Sequence, residues 1–296
     1  RDEHREHIYD PPPGLKRPEL PDFAFSRRCP TKKELAWSIR KKRNKACPGL
    51  NSLPYLPYKK CPAIIDFIHR LGRKIWKTKE VPDDWAQAFI VLLAKSEDLA
   101  DVSEFRPIAI TAAAGKILFS VLAVRLERFM LKNRFIKVEI QKGFLSGVAG
   151  CVEHAFALFE ALKDAKSSKR QIVVSWLDLA NAYGSVRHNL IQFALDWYHV
   201  PKLIQDLIFD YYEKLMAKIQ TAEWSTGFFL FDIGLFQGCV LSTILFDCVF
   251  QLLLDFLDPL AHIGYGYKLC RGVRRLSRAY ADDISLITHT SINNKY

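Results

Sequence analysis

The stretch that decides the fold is AYADDISLI, residues 279–287, in which Asp282 and Asp283 lie between apolar runs. The run RRLSRA leads into it and ISLIT follows the pair, so the segment predicts two strands joined by a tight turn. Adjacent carboxylates disfavour each other's ionisation unless a cation neutralises them. The second such pair, Asp83-Asp84, lacks these flanks and is interpreted as a solvated turn. The 279–287 stretch therefore indicates a cation site.

A third carboxylate closes another strand-like run. The segment QIVVSWLD, residues 171–178, is rich in β-branched residues and ends at Asp178. Nucleotidyl transfer uses two metal ions about 4 Å apart, one for the attacking hydroxyl and one for the leaving pyrophosphate. Magnesium prefers hard oxygen ligands and takes few of them from protein carboxylates. Two or three aspartates at strand ends are therefore the pattern that this chemistry needs.

The rest of the chain alternates irregularly between helical and strand-like patterns. Thr31 and Glu34 have capping-box spacing at the start of a first helix. Further helices are predicted after Pro62 and at 113–133, 152–165, 188–198, 202–217 and from about 240, and strands at 88–94 and 105–111 with a hairpin near 219–233. Sequential hairpins among helices predict an α+β fold.

The charge balance favours an anionic partner. The chain has 296 residues, 43 Lys+Arg against 32 Asp+Glu, and a formal net charge of +11. Nucleic acid is the commonest large polyanion, although a basic protein without such a partner is the plain alternative.

The cysteines and the hydropathy bear on the compartment. Seven cysteines are scattered without a CxxC pair, which argues against a disulfide framework or a zinc site and favours a reducing compartment. The apolar stretch 239–260 carries three aspartates and is interpreted as a buried helix, not a membrane span. We expect an intracellular protein, in the nucleus or the cytoplasm, that is not secreted and has no membrane partner.

Taken in order, the blocks resemble a reverse transcriptase of the non-LTR (LINE-like) retrotransposon family. The resemblance runs from about Lys45 to the last residues. KACPGLNSLPY resembles the N-terminal extension block of the family, FIVLLAK with FRPIAI resembles its paired fingers strands, and AGKILFSVLAVRL resembles the helix after them. In the fingers strands, Lys95 and Arg106 match the basic residues that face the incoming dNTP, and an ammonium and a guanidinium suit its triphosphate.

Two of the palm blocks in this resemblance carry the predicted catalytic carboxylates. WLDLANAYGSVRH matches the first palm motif, which implies that Asp178 is catalytic and that the backbone carbonyl of Leu179 adds to the metal shell. Tyr183 stands at the position of the aromatic gate, where a ring under the sugar would clash with a 2′-hydroxyl. AYADDISLI matches the third palm motif and implies that Asp282 and Asp283 are the other catalytic metal ligands.

Two more blocks imply contacts to the nucleotide and the template. GLFQGCVLSTILF matches the second palm motif and places Gln237 near the dNTP and Gly238 near the template. QKGFLSGVAGCVEH resembles the template-contacting block, with Gln141, Lys142 and Gly143 as the residues concerned.

The resemblance implies the fingers and palm of a right-hand polymerase, with an antiparallel palm sheet packed on helices. The expected divisions are a polar, proline-rich arm at 1–30, an N-terminal extension with the fingers at 31–170, and the palm at 171–296. The implied activity is RNA-directed DNA synthesis in retrotransposition with two Mg²⁺ ions as cofactors. The implied partners are an RNA template, a DNA primer or target, and dNTPs.

The chain departs from the family pattern in three places. Gly184 follows Tyr183 where many relatives carry aspartate, and Thr243 replaces a usual proline. The sequence stops at Tyr296, before the next palm block and the thumb, so we expect this chain to fold marginally and to polymerise weakly or not at all when alone.

Three other interpretations stay open at the level of sequence. A non-catalytic nucleic-acid-binding remnant of a retroelement and a group II intron-type maturase are the main alternatives. An RNA-dependent RNA polymerase is less compatible, because those enzymes usually carry glycine where this chain has Ala281.

Overall fold

A computed structural model describes residues 9–44, 46–50, 53–95, 101, 104–269, 272 and 274–289. The start of the expected arm, at 1–8, and three positions of the N-terminal extension block lie outside the described residues. Among the described residues no helix is long and apolar enough to cross a bilayer.

Eight α-helices and nine strands alternate along the described chain. The helices are α1 Lys32–Arg40, α2 Tyr55–Lys60, α3 Pro62–Thr78, α4 Ala113–Lys132, α5 Cys151–Ser167, α6 His188–Trp197, α7 Lys202–Glu213 and α8 Ser242–His262. The strands are β1 Gln87–Ala94, β2 Phe105–Thr111, β3 Val173–Leu177, β4 Met216–Ile219, β5 Phe229–Leu230, β6 Tyr267–Lys268, β7 Arg274–Arg275, β8 Ser277–Tyr280 and β9 Asp283–Thr288. The predicted α+β class is confirmed.

Helix α1 begins where the capping box predicts. The Thr31 side chain accepts from the Glu34 backbone N–H, and the Glu34 carboxylate accepts from the Thr31 backbone N–H at 2.8 Å. Glu34 also forms a forked pair with Arg125 of α4, at 2.8 Å to each carboxylate oxygen. Burial raises the pKa of Glu34, but the bonds from Thr31 and Arg125 outweigh it and lower the pKa overall. The pair therefore joins α1 to α4.

The strands form two larger sheets and one small one. The first sheet has the order β2-β1-β4-β5, in which β1 pairs antiparallel with β2 and parallel with β4. The second has the order β3-β9-β8 and is antiparallel throughout. Because β4 comes from the expected palm and β1 from the expected fingers, the first sheet crosses the boundary predicted at 170/171.

One continuous hydrophobic core underlies both larger sheets. It extends from Phe25 before α1 to Leu286 in β9 and includes much of α4 and α8. A small satellite cluster, with Ala161, Ala165, Tyr267 and Ile287, packs under α5. Helix α4 packs on α8, and α8 packs on β8, the strand that leads into Asp282 and Asp283.

Candidate active site

The register of β3 and β9 places two of the three predicted carboxylates across from each other. Leu177 at the end of β3 pairs with Ile284 in β9, so Asp178 and Asp283 are the next residues on the two neighbouring strands. Opposed positions in an antiparallel pair have Cβ atoms about 4.5–5.5 Å apart. Both side chains are exposed. The sheet thus brings together aspartates that are more than a hundred positions apart in sequence.

The third carboxylate stands on the turn between β8 and β9. Tyr280 pairs with Asp283, which leaves Ala281 and Asp282 as a two-residue hairpin turn. Ala281 has φ +57°, the left-handed region that two-residue hairpin loops require but that alanine rarely adopts. Asp282 lies near the hydroxyl of Tyr183, and its charge contributes to the raised pKa of that group. We call residues 281–283 the acidic turn, and this turn lies within electrostatic reach of Tyr183 in the loop that follows β3.

The ring of Tyr183 is held between two other rings. It stacks on Phe246 of α8 with centroids 5.1 Å apart and planes at 10°, and Phe144 meets it edge-on at 6.0 Å. Burial, followed by the charges of Asp247 and Asp282, raises its pKa, so the hydroxyl stays protonated at neutral pH. The Tyr183 ring is therefore half-buried and packed between two other rings, and its role as a steric gate stays a prediction.

A glycine-containing loop docks on the edge of the first sheet. Ala109 of β2 donates from its N–H to the Gln237 carbonyl at 2.7 Å, and Ile108 forms a parallel bridge with Gln237. Gly238 has φ +107°, and a Cβ there would lie 2.6 Å from the Ala109 carbonyl oxygen. Only glycine permits this approach. Gln237 and Gly238 are thereby fixed beside the strand that carries Arg106.

Lys95 and Arg106 lie at the loop end of the β1–β2 hairpin. Arg106 pairs with Leu93, and the Lys95 backbone N–H donates to the Glu104 carbonyl at 2.7 Å. Both side chains are exposed. Arg106 is two residues from Ile108 and so shares its face of β2. The structure therefore brings Arg106 close to the Gln237 loop.

The segment Ile140–Gly143, which we call the bracing segment, lies along β8. Gln141 forms a parallel bridge with Ala279, and its side chain is only 1% exposed. The Lys142 side chain is almost fully buried and pairs with Glu153 of α5. These positions were predicted to contact the template. That role stays a prediction, but the contacts of Gln141 and Lys142 are made inside the protein.

The donor types of the three aspartates suit a divalent cation. None of the three side chains forms a hydrogen bond or an ion pair with another residue that the structure describes. Their carboxylates, with the exposed Leu179 next to Asp178 for a backbone carbonyl, are the hard oxygen ligands that Mg²⁺ prefers. Across the described ranges, however, no group of three or more His, Cys, Asp or Glu side chains is already arranged to hold a metal ion.

A fourth aspartate near the site was not predicted. Asp247 of α8 is 1% exposed, and neither of its carboxylate oxygens has a hydrogen-bond partner within the part of the chain described. Burial, followed by the charge of Glu127, raises the pKa of Asp247 to about 8. The burial of Asp247 could not be predicted from the sequence. An apolar helix of this length can also present polar residues to solvent on its other face, and no local pattern separates the two cases.

Comparison with known proteins identifies the family. The family model described as "Reverse transcriptase (RNA-dependent DNA polymerase)" matches residues 94–294. A Pol polyprotein from the type-2 retrotransposable element R2DM of Drosophila melanogaster is 28% identical over 211 residues, 71% of this chain and 19% of that protein. A Pol polyprotein from the type-1 element R2 of Nasonia vitripennis is 25% identical over 230 residues, 77% of this chain and 21% of that protein.

A solved structure of telomerase from Candida tropicalis with a fragment of telomeric RNA is 14% identical, with a TM-score of 0.49, and covers 77% of this chain and 41% of that one. The chain thus spans about a fifth of the length of the two curated relatives. The predicted resemblance to non-LTR retrotransposons is confirmed by the R2 relatives. Since the family match covers well over half of its residues, the chain belongs to the reverse transcriptase (RNA-dependent DNA polymerase) family.

Proposed function

We propose that this domain synthesises DNA on an RNA template, with Asp178, Asp282 and Asp283 holding two Mg²⁺ ions. Members of the family generally use divalent metal ions. The observation that carries the proposal is the strand register, which sets Asp178 opposite Asp283 and leaves Asp282 on the adjoining turn. When bound, the two ions supply activation of the primer 3′-hydroxyl and neutralisation of the leaving pyrophosphate.

The protein's own residues bind and orient the reactants. Asp178, Asp282 and Asp283 supply side-chain oxygens, and the Leu179 carbonyl supplies a backbone oxygen. The 3′-oxygen of the primer forms a bond to the α-phosphorus of a dNTP while the bond to pyrophosphate breaks, and in-line attack inverts the configuration at phosphorus. Holding the two oxygens in line is the protein's main contribution, since phosphoryl transfer requires little covalent chemistry from side chains.

The nucleotide is assigned to the space between the loop end of the first sheet and the acidic turn. Lys95 and Arg106 neutralise the triphosphate, Tyr183 packs under the sugar, and Gln237 lies at the base. Gly238, Lys142 and Gly143 are assigned to the template side. A net charge of +11 supports an extended nucleic-acid partner. We further propose that the whole protein acts in retrotransposition, with a DNA primer at the target.

A nucleotide-competition assay tests the proposed function. The chain is given a primed RNA template with Mg²⁺ and either dNTPs or NTPs, and extension by one nucleotide is measured. The proposal predicts incorporation of dNTPs in strong preference to NTPs. Equal or better incorporation of NTPs would make the domain an RNA polymerase.

Non-catalytic nucleic-acid binding is the second candidate. It is favoured by the finding that, among the residues described, no three ligands are already gathered for a metal ion. Tight binding of the primed template without incorporation of either nucleotide class, at any concentration of Mg²⁺ or Mn²⁺, would support this alternative and refute the polymerase.

A further inference from the structure

The carboxamide of Gln141 forms hydrogen bonds with both the backbone N–H and the backbone carbonyl of one residue in the acidic turn, Ala281. Its Nε2 donates to the Ala281 carbonyl at 3.0 Å, and its Oε1 accepts from the Ala281 N–H at 2.9 Å. The same Oε1 accepts from the Gly143 N–H at 2.7 Å. The carboxamide thus donates to and accepts from Ala281, as the backbone of a neighbouring β-strand would. All of these atoms are buried.

The bracing segment that carries Gln141 is itself fixed by other bonds. The Ala279 N–H donates to the Ile140 carbonyl at 2.8 Å, and the Lys142 N–H donates to the Ala279 carbonyl at 3.1 Å. His154 of α5 donates from Nε2 to both carbonyls, at 2.9 and 3.1 Å. The segment therefore stays in place without help from the Gln141 side chain, which makes it a rigid support for the turn.

The turn needs such a support. Ala281 is held at φ +57°, a conformation that costs a non-glycine residue about 1 kcal/mol or more. Asp282 and Asp283 follow it directly, so any rotation of the Ala281 peptide moves both carboxylates relative to Asp178 on β3. The Gln141 bonds fix the orientation of that peptide.

We propose that Gln141 is a positioning residue that holds the acidic turn in the geometry required for divalent-metal binding, and that it does so in place of a direct contact with the template. The metal-binding part of this inference rests on the proposed function. Groups that orient metal ligands typically change metal affinity or activity about 10- to 100-fold when they are removed.

Gln141→Met is the main variant, since methionine has nearly the same shape and can make none of the three bonds. Gln205→Met is its matched control. Gln205 is also buried and also donates from its Nε2 to a backbone carbonyl, that of Val200 at 2.7 Å, but it lies in α7. Both changes remove a buried amide, and only the first one touches the turn.

The test measures Mn²⁺ binding to the free chain by electron paramagnetic resonance, together with kcat and KM for dNTP. We expect Gln141→Met to raise the Mn²⁺ dissociation constant and to lower kcat, each by about 10-fold or more, with little change in KM. Gln205→Met should leave all three near wild type. Loss of a template contact would instead weaken template binding and leave Mn²⁺ binding unchanged.

A second variant covers the case in which Gln141→Met does not fold. In Gln141→Glu the neutral carboxyl can make the same three bonds, whereas the ionised one cannot donate to the Ala281 carbonyl. Its kcat relative to wild type should therefore rise as the pH falls. A ratio that is constant with pH would contradict the inference.

The outcomes separate the two proposals. Wild-type Mn²⁺ affinity and kcat in a folded Gln141→Met chain would overturn the positioning role while leaving the polymerase intact. Selective loss of Mn²⁺ affinity in a chain that incorporates no nucleotide would refute the polymerase and support the positioning role. Wild-type Mn²⁺ binding that is insensitive to Asp283→Asn would overturn both.

Discussion

At the scale of single residues, Tyr183 is the position that we propose as the steric gate for the incoming nucleotide. Its ring is clamped by Phe246 at 5.1 Å and Phe144 at 6.0 Å, so it cannot swing aside for a bulkier sugar. In Tyr183→Ala, we expect the preference for dNTP over NTP to fall by about tenfold or more, because the clash with the 2′-hydroxyl disappears. Single-nucleotide incorporation with matched dNTP and NTP measures this change.

Tyr183→Phe is the control for that substitution. It keeps the ring and its stacking, and should keep the preference. If Tyr183→Ala discriminates as well as wild type, the ring does not contact the sugar and the gate must be sought elsewhere.

Gly143 is the second residue with a specific prediction, because the backbone of the acidic turn leaves no space for a Cβ atom at this position. A Cβ there would lie 2.0 Å from the Ala281 backbone nitrogen, and neither backbone can yield cheaply. We expect Gly143→Ala to displace the acidic turn, to destabilise the fold by about 1–3 kcal/mol and to reduce incorporation strongly. Thermal unfolding and single-nucleotide incorporation are the measurements.

Gly227→Ala is the matched control, since a Cβ at Gly227 would meet nothing within 4 Å. It should unfold and react as wild type does. Equal behaviour of the two variants would mean that the close contact between the bracing segment and the turn is not maintained in solution.

The residues of the site were predictable to different degrees. The three aspartates and Tyr183 could be predicted, because each lies in a short sequence motif that identifies it by its immediate neighbours. The bonds of Gln141 could not, because its partner Ala281 lies 140 positions further along the chain. The unpaired burial of Asp247 likewise depends on which face of α8 turns inward.

At the scale of elements, helix α8 carries a buried acid that makes stability depend on pH. In the folded chain Asp247 keeps its proton up to about pH 8, whereas an unfolded aspartate loses it near pH 4. The folded state binds the extra proton between these values, so this stabilisation is complete below about pH 4 and is lost as the pH rises to 8.

The substitution Asp247→Asn removes this dependence, because asparagine is neutral at every pH. We expect the variant to gain stability relative to wild type as the pH rises, by at least about 1 kcal/mol more at pH 8 than at pH 5. Urea unfolding at both pH values measures the difference. Asp258→Asn is the control, since Asp258 on the same helix is paired with Lys137. Parallel loss of stability in wild type and Asp247→Asn would contradict the buried, unpaired carboxyl.

Most helices and strands could be predicted from hydrophobic periodicity and from the capping, glycine and proline residues at their ends, and the exceptions have physical reasons. Strand β2 at Phe105–Thr111 and helix α4 at Ala113–Lys132 match the patterns closely. Helix α2 was missed because it has six residues with Pro57 among them. The parallel pairing of β1 with β4 was missed because it joins segments that are over a hundred residues apart, and no local pattern specifies such a partner.

At the scale of the whole molecule, one core joins the segments that sequence divides into fingers and palm. Strand β4 extends the sheet of β1 and β2, and the loop at Gln237 docks on β2. The basic residues assigned to the triphosphate and the acidic residues assigned to the metal ions are thus carried on sheets that share this core. Composition predicted an anionic partner, whereas the connection between the two sheets could be seen only in the structure.

The central claim is that Asp178, Asp282 and Asp283 together form a polymerase metal site. Its most direct test is the rate of Mg²⁺-dependent addition of one dNTP to a primed RNA template by wild type, Asp178→Asn and Asp283→Asn. Asp84→Asn is the control, because Asp84 belongs to the exposed Asp83-Asp84 pair beside Trp85. We predict that both site variants lose at least about 100-fold in rate, as when a group that stabilises transition-state charge is removed, and that Asp84→Asn does not. Incorporation that survives in Asp178→Asn and Asp283→Asn at the wild-type rate would contradict the account.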